Sequence, residues 1–171
     1  MRPLLVVMLV AGAAGCATSG AVPRPFPGAG VPPTAPRGGE PPASPSPAYI
    51  DREAVVRTAL GFRGVPYRDG GSDPSGFDCS GFVQYVFAQH GLGLPREVRE
   101  QFRLGEEVDL RRIEPGDLVF FATVTPSASH VGVAIGGDEF VHAPSSRGRV
   151  RVERLSGGYW AARLVGVRRV R

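Results

Sequence analysis

The stretch at residues 67–85, Y-R-D-G-G-S-D-P-S-G-F-D-C-S-G-F-V-Q-Y, constrains the fold of this chain more than any other. Its first half is dense in turn formers (Gly70, Gly71, Asp73, Pro74, Gly76) and passes directly into an apolar run. Phe82, Val83, Val86 and Phe87 recur at the spacing of one buried helix face. Asp78 precedes that run, where an N-cap side chain accepts the first free backbone N–H groups. Cys79 is therefore expected in the first turn of a helix. A helix N-terminus carries partial positive charge and unpaired donors, which favour a thiolate and are expected to lower the thiol pKa. A cysteine in that setting is a candidate nucleophile, whereas one without it is a small buried hydrophobe.

Around this junction the pattern divides into helices first and strands afterwards. Residues 51–62 read as a helix with Asp51 as cap and Val55, Val56, Ala59 and Leu60 inward, and residues 63–76 as a loop. The Cys79 helix is expected to stop at His90-Gly91, with Gly as terminator and His90 beside the negative end of the dipole. His90 lies about 16 Å along the helix axis from Cys79, too far to act on it. Residues 95–104 suit a short helix closed by Gly105. Strands are expected at 117–122, 130–136, 139–143, 149–155 and 164–170. In 130–136, Val131, Val133 and Ile135 share one face, and His130, Gly132 and Ala134 share the other. A hairpin loop at 136–138 puts His142 on the face of His130 as a diagonal neighbour, about 7–8 Å away between backbones. Two histidines on a face open to the cysteine-bearing helix make a coherent site.

The first residues carry a different signal. One early charge, Arg2, precedes an apolar stretch at 4–14 that is shorter than the about 20 residues needed to span a bilayer. It reads as a secretory signal over residues 1–15, with small residues before the cut. Ala13-Ala14-Gly15-Cys16 is similar to a bacterial lipobox, in which the cysteine is lipidated and becomes the mature N-terminus, although Ala13 stands where Leu is usual. Ten of the 17 prolines fall within residues 17–48, which are nearly free of large apolar side chains. Such a segment cannot bury enough surface to fold, and at about 3.1 Å per residue it forms a semi-rigid tether. Residues 16–48 are read as the lipidated N-terminus and tether, and 49–171 as the catalytic domain.

D-C-S-G-F-V after Y-x-x-G-G, followed by S-H-V-G-V-A-I and F-V-H-A in the same order and spacing, resembles the NlpC/P60 family of papain-like cysteine peptidases, which cut bacterial cell-wall peptides. The resemblance implies an α+β, papain-like fold with N-terminal helices packed on an antiparallel sheet of about five to six strands. It implies a Cys-His-His arrangement of Cys79 as nucleophile, His130 as base and His142 orienting it. It further implies that Tyr67 lines the oxyanion and substrate site and that Asp78 and Ser80 contact the substrate peptide. Read without it, these three are a packed loop aromatic, an N-cap and a polar first-turn residue. The usual family substrate is the peptidoglycan stem peptide, cut between γ-D-glutamate and the following diamino acid, and some small lipoprotein members cut cross-links instead. Another papain-like amidase or acyltransferase, or a non-catalytic wall-binding module, are the alternatives.

Composition narrows the partners. All 20 basic residues are Arg, and the net charge of +4 favours anionic surroundings such as wall polymers or lipid headgroups without demanding nucleic acid, for which no motif exists. Arg147, Arg149, Arg151 and Arg154, with Arg168, Arg169 and Arg171, read as solvated strand faces or as a surface for anionic glycan or headgroups. With only Cys16 and Cys79, a disulfide framework is excluded. Cys79, His130 and His142 are all metal-ligand types, but they show no paired ligand spacing, so neither metal nor cofactor is expected. The expectation is a monomer in the bacterial envelope, lipid-anchored at Cys16. It would face the periplasm from the outer membrane if the cell has two membranes, since Ala17 is not the Asp that retains lipoproteins at the inner one.

Overall fold

The computed structural model describes residues 50–145 and 148–171. The expected signal segment, Cys16, the tether and Arg147 lie outside the described residues.

The helical part comes first. Asp51 caps α1 (Arg52–Gly61) by accepting the Ala54 N–H at 2.9 Å, and α1 buries Val55 and Ala59. The stretch at 63–76, expected to be loop throughout, holds a tight hairpin of β1 (Ser72–Asp73) and β2 (Gly76–Phe77). Its turn forms because Asp73 Oδ1 accepts the Ser75 N–H at 2.8 Å, an Asx turn that leaves no hydrophobic period to read. α2 (Cys79–Ala88) follows, with Asp78 as cap and Gly91 reversing the chain at φ +78°. α3 (Val98–Gln101) occupies part of the 95–104 stretch, and Gly105 closes it at φ +68°.

The remainder is mostly sheet: β3 (Glu106–Glu107), β4 (Leu118–Phe121), β5 (His130–Gly136), β6 (Glu139–His142), β7 (Arg151–Arg154) and β8 (Leu164–Arg169). A four-residue helix, α4 (Gly158–Ala161), interrupts β7 and β8. These strands form one six-stranded sheet in the order β3-β8-β4-β5-β6-β7, with every neighbouring pair antiparallel. The fold is α+β, as expected. In the β5–β6 hairpin Gly136 pairs with Glu139, so Gly137 and Asp138 alone make the turn, where three residues were expected. A bulge between Ala134 and Gly136 absorbs the difference and preserves the register Val133↔Val141.

The sheet buries both faces. On one, Phe82, Val83, Val86 and Phe87 of α2 share a core with Leu118, Phe120, Val131, Val133 and Val141. On the other, Val119, Phe121, Ala134, Phe140 and Val167 pack with Leu155 and Trp160. Full burial of each large apolar side chain contributes about 1.5–3 kcal/mol, so this two-sided core dominates the stability of the site's support.

Arg149, Arg154 and Arg171 are exposed as expected, but three of the arginines depart from a solvated face. Arg169 reaches the fully buried Asp117 with Nε and Nη2, each at 2.8 Å, and Arg112 O with Nη2 at 3.1 Å. Arg168 lies over the Phe102 ring at 4.8 Å, and Arg151 pairs with Glu153. A carboxylate at zero exposure needs a fixed cation, and this chain has only Arg to supply one.

Candidate active site

The loop before α2 fixes Cys79 in place. Gly71 O accepts the Asp78 N–H at 3.0 Å, and a β-carbon on Gly81 would lie 2.1 Å from Gly71 O. Only glycine at 81 allows the loop to close against the helix. Asp78 Oδ1 then accepts the Gly81 N–H at 2.8 Å, which leaves Cys79 as the first helical residue. The N–H groups of Val131, Ser80 and Cys79 itself stabilise a charged sulfur. They do not prevail: burial, reinforced by the Asp78 carboxylate, pushes the thiol up to about 11. The expectation of a lowered thiol pKa is thereby corrected. A helix end supplies about half a unit of positive charge, while the residue that caps it supplies a full negative one. The thiol of the free protein is therefore neutral. Tyr67, whose N–H donates to Gly148 O at 2.7 Å, has its phenol pKa raised by burial and then by the charges of Cys79, Asp69 and Asp78.

The histidines meet as the register requires. His130 opens β5 and His142 closes β6, on the same sheet face, and their rings approach edge to face with His130 Nε2 and His142 Nδ1 2.8 Å apart. That face is not the one α2 packs on, contrary to the expectation. Four large apolar residues commit α2 to the Val131 and Val133 side, and Cys79 reaches the histidines only because it begins the helix beside the first residues of β5. The histidine face is covered by Trp160, stacked on His130 at 5.3 Å between ring centres and edge-on to His142 at 4.8 Å. Enclosure lowers the His130 pKa to about 4, and burial with the neighbouring His130 and Arg151 lowers that of His142 as well. Both imidazoles are neutral at pH 7. Among the described residues Cys79 and His130 share no hydrogen bond, a bond that in free enzymes often tightens only with substrate.

Asp78 and Ser80 are both engaged within the chain. Arg96 Nη1 donates to Ser80 Oγ at 2.6 Å, and Arg96 Nη2 pairs with Asp78 Oδ2. Gln101 Nε2 ties the same loop down, donating to Pro95 O at 2.8 Å and Ser80 O at 3.1 Å. His90 lies apart, with its Nε2 3.0 Å from Thr58 Oγ1, so its ring is held by α1 beyond the end of α2 at Ala88. Arg96, Trp160 and Glu153 are the site-lining residues that sequence reasoning missed. The single tryptophan was the one available cue; the other two carry no spacing signal.

A neutral thiol beside a helix N-terminus, next to a strand that begins with a neutral imidazole in contact with a second one, has the chemical parts that a nucleophile, a base and an orienter require. Known proteins resemble the chain in sequence and in fold. A family model described as the NlpC/P60 family matches residues 64–169. The chain is 46% identical over 118 residues to a gamma-DL-glutamyl hydrolase of Bacillus subtilis, covering 67% of this chain and 28% of that protein. It is 44% identical over 110 residues to a murein DD-endopeptidase/murein LD-carboxypeptidase of Escherichia coli, covering 64% of this chain and 57% of that one. The chain thus spans less than two thirds of the length of these relatives. The crystal structure of an NlpC/P60 family protein from Bacillus cereus superposes with a TM-score of 0.66 at 33% identity, covering 69% of this chain and 39% of that one.

Proposed function

The chain belongs to the NlpC/P60 family, and from that premise we propose that it is a thiol endopeptidase cutting amide bonds in peptidoglycan stem peptides. The observation that carries the reading is the 2.8 Å contact between His130 Nε2 and His142 Nδ1, on the strand whose first residues adjoin Cys79. Cys79 Sγ attacks the scissile carbonyl as His130 Nδ1 takes the thiol proton. With both groups neutral beforehand, proton transfer and attack belong to one step instead of starting from a standing ion pair. His142 Nδ1 accepts from His130 Nε2–H and holds the ring while it is cationic. The Cys79 N–H stabilises the oxyanion. Collapse of the tetrahedral intermediate transfers the His130 proton to the leaving amine, and water, activated by the same imidazole, then releases the acyl group from sulfur.

The bond cut is the one between γ-D-glutamate and the following diamino acid. The name of the Bacillus relative supports a γ-glutamyl bond as the target, and the name of the Escherichia relative, a murein DD-endopeptidase, supports a second reading, cross-link cleavage. Tyr67, Asp78 and Ser80 contact the substrate peptide in this reading, and Arg96, 35% exposed at its side chain, presents a guanidinium suited to a peptide carboxylate. Lipid attachment through Cys16 and the tether over residues 16–48 would hold the domain, as a monomer, within reach of the wall. Mass spectrometry of muropeptides after incubation with the protein tests the assignment. New termini at γ-D-glutamate are expected, none with Cys79→Ala; products cut only at cross-links would select the second reading, and no cleavage would reject both.

A further inference from the structure

His142 spans the face between two neighbours, and only one of its two ring nitrogens is satisfied. Nδ1 meets His130, while Nε2 is fully enclosed and, among the described residues, has no hydrogen-bond partner. An imidazole at zero exposure with an orphan nitrogen is costly, so whatever that nitrogen faces matters. It faces Glu153: Oε2 lies 3.8 Å away, just beyond hydrogen-bond range. The register makes this contact the mirror of the first. Phe140 pairs with Glu153 and His142 with Arg151, which puts Glu153 diagonal to His142 on β7, just as His130 is diagonal to it on β5. Glu153 is itself held by Arg151, whose Nε lies 2.5 Å from Oε1, and by the Trp160 indole N–H on Oε2. The same Trp160 stacks on His130. One indole thus braces both ends of a line that crosses three adjacent strands.

The proton positions along this line follow from its use. If His130 Nδ1 is to accept the Cys79 proton it must be bare, so neutral His130 carries its hydrogen on Nε2. That hydrogen points at His142 Nδ1, which must then be the acceptor, and neutral His142 carries its own hydrogen on Nε2. The opposite tautomer of His142 would set two lone pairs against each other at Glu153 and require His130 Nε2 to be bare. We propose that Glu153 is a positioning residue that selects the Nε2–H tautomer of His142, and through it the Nε2–H tautomer of His130, leaving His130 Nδ1 free for the thiol. The role rests on the reading of Cys79 as nucleophile and His130 as base. No proton reaches Glu153 in this scheme; its negative charge lies in line with the imidazolium formed on His130.

Two measurements on the full-length protein test it. Imidazole nitrogen NMR of the wild type should find both His130 and His142 protonated at Nε2 and bare at Nδ1. Glu153→Gln, which keeps the size of the side chain, should mix the His142 tautomers and lower kcat on a muropeptide about 10–100-fold, the range for loss of an outer-shell orienter, with KM little changed. A purely structural role for Glu153 would lower the unfolding midpoint without moving the tautomers. The proposal is overturned if wild-type His142 carries its hydrogen on Nδ1, or if Glu153→Gln leaves kcat and tautomers as they were. Cys79→Ala and His130→Ala, assayed alongside, keep the two levels apart. Turnover surviving in either would reject the nucleophile–base reading, while the nitrogen spectra would still judge Glu153.

Discussion

Gly132 stands across β5 and β6 from His142, and a β-carbon built on it would lie 3.1 Å from His142 Cβ and 2.7 Å from Phe140 Cδ2. The absent side chain is what lets the His130 and His142 rings meet over that position. Gly132→Ala is therefore expected to displace β6, since overpacking a well-filled core typically costs about 1–3 kcal/mol. It should lower both kcat and the unfolding midpoint, and Gly132→Val should lower both further. Wild-type kcat in Gly132→Ala would mean that the histidine contact tolerates strand movement.

The histidines should be unequal in their effects. His130→Ala is expected to be nearly as inactive as Cys79→Ala, because it removes thiolate formation and leaving-group protonation together. His142→Ala should fall between about 10-fold and 10⁴-fold in kcat, bounded by the loss of an outer-shell orienter and by a wrong tautomer in a triad. His142→Asn or His142→Gln should be milder, since an amide still hydrogen-bonds the ring. His90→Ala, whose ring is engaged with Thr58, should keep wild-type kcat. Single and double variants on one muropeptide decide this, as residues acting as a unit are non-additive.

Acid should loosen the domain through the same pair. The His130 pKa is lowered from 6.5 to about 4 by burial, and that of His142 is lowered too. Below about pH 6.5 the unfolded chain takes up protons that the native one refuses, so this contribution is complete above that pH and declines towards pH 4. Each unit of separation corresponds to about 1.4 kcal/mol. Urea unfolding from pH 7 to 4 should show a falling midpoint, and the His130→Gln/His142→Gln variant should show a shallower fall. A midpoint constant over that range in the wild type would contradict neutral burial of the rings.

The thiol should react as a thiol and not as a standing thiolate. With its pKa raised to about 11, the rate of iodoacetamide inactivation of the free protein should keep climbing above pH 9. Asp78→Asn retains a capping side chain but drops the charge, so it should bring the climb to lower pH. EDTA should leave activity intact. A rate that is already level at neutral pH, or zinc whose removal abolishes turnover, would contradict this scheme.

The N-terminal expectation is checked by mass. Mature protein should carry a lipid increment on Cys16 and partition with membranes, and Cys16→Ser should remain unprocessed or be released from lipid attachment. A mature chain beginning elsewhere, or Cys16 without a lipid increment, would remove the anchor.

What was legible in the sequence is what periodicity and caps encode. Asp51 and Asp78 begin their helices as their side chains dictate, and alternation in 130–136 places both histidines on one face in the right register. The contacts that complete the site are of another kind. Arg96 meets Asp78 across a loop, and Trp160 comes from a helix of four residues, too short for any pattern to mark. Glu153 sits among arginines that look solvated until β7 is known to border β6. The thiol pKa was missed because its main cause, burial, leaves no mark in the local sequence, and because the Asp78 that announces a helix N-terminus also opposes charge on the neighbouring sulfur.

The place of β8 in the sheet has a consequence for biogenesis. It lies between β3 and β4, both made long before it, so each keeps an open edge until residues 164–169 are available. Until then Asp117 also lacks Arg169 and keeps only the longer 3.5 Å pairing with Arg52, and a buried carboxylate so weakly compensated resists closure of the core. Long-range pairing of this sort is slow and leaves strand edges open to other chains. A nascent chain halted before β8 would therefore be prey for proteases. The site gains its support all at once, when β8 closes the sheet.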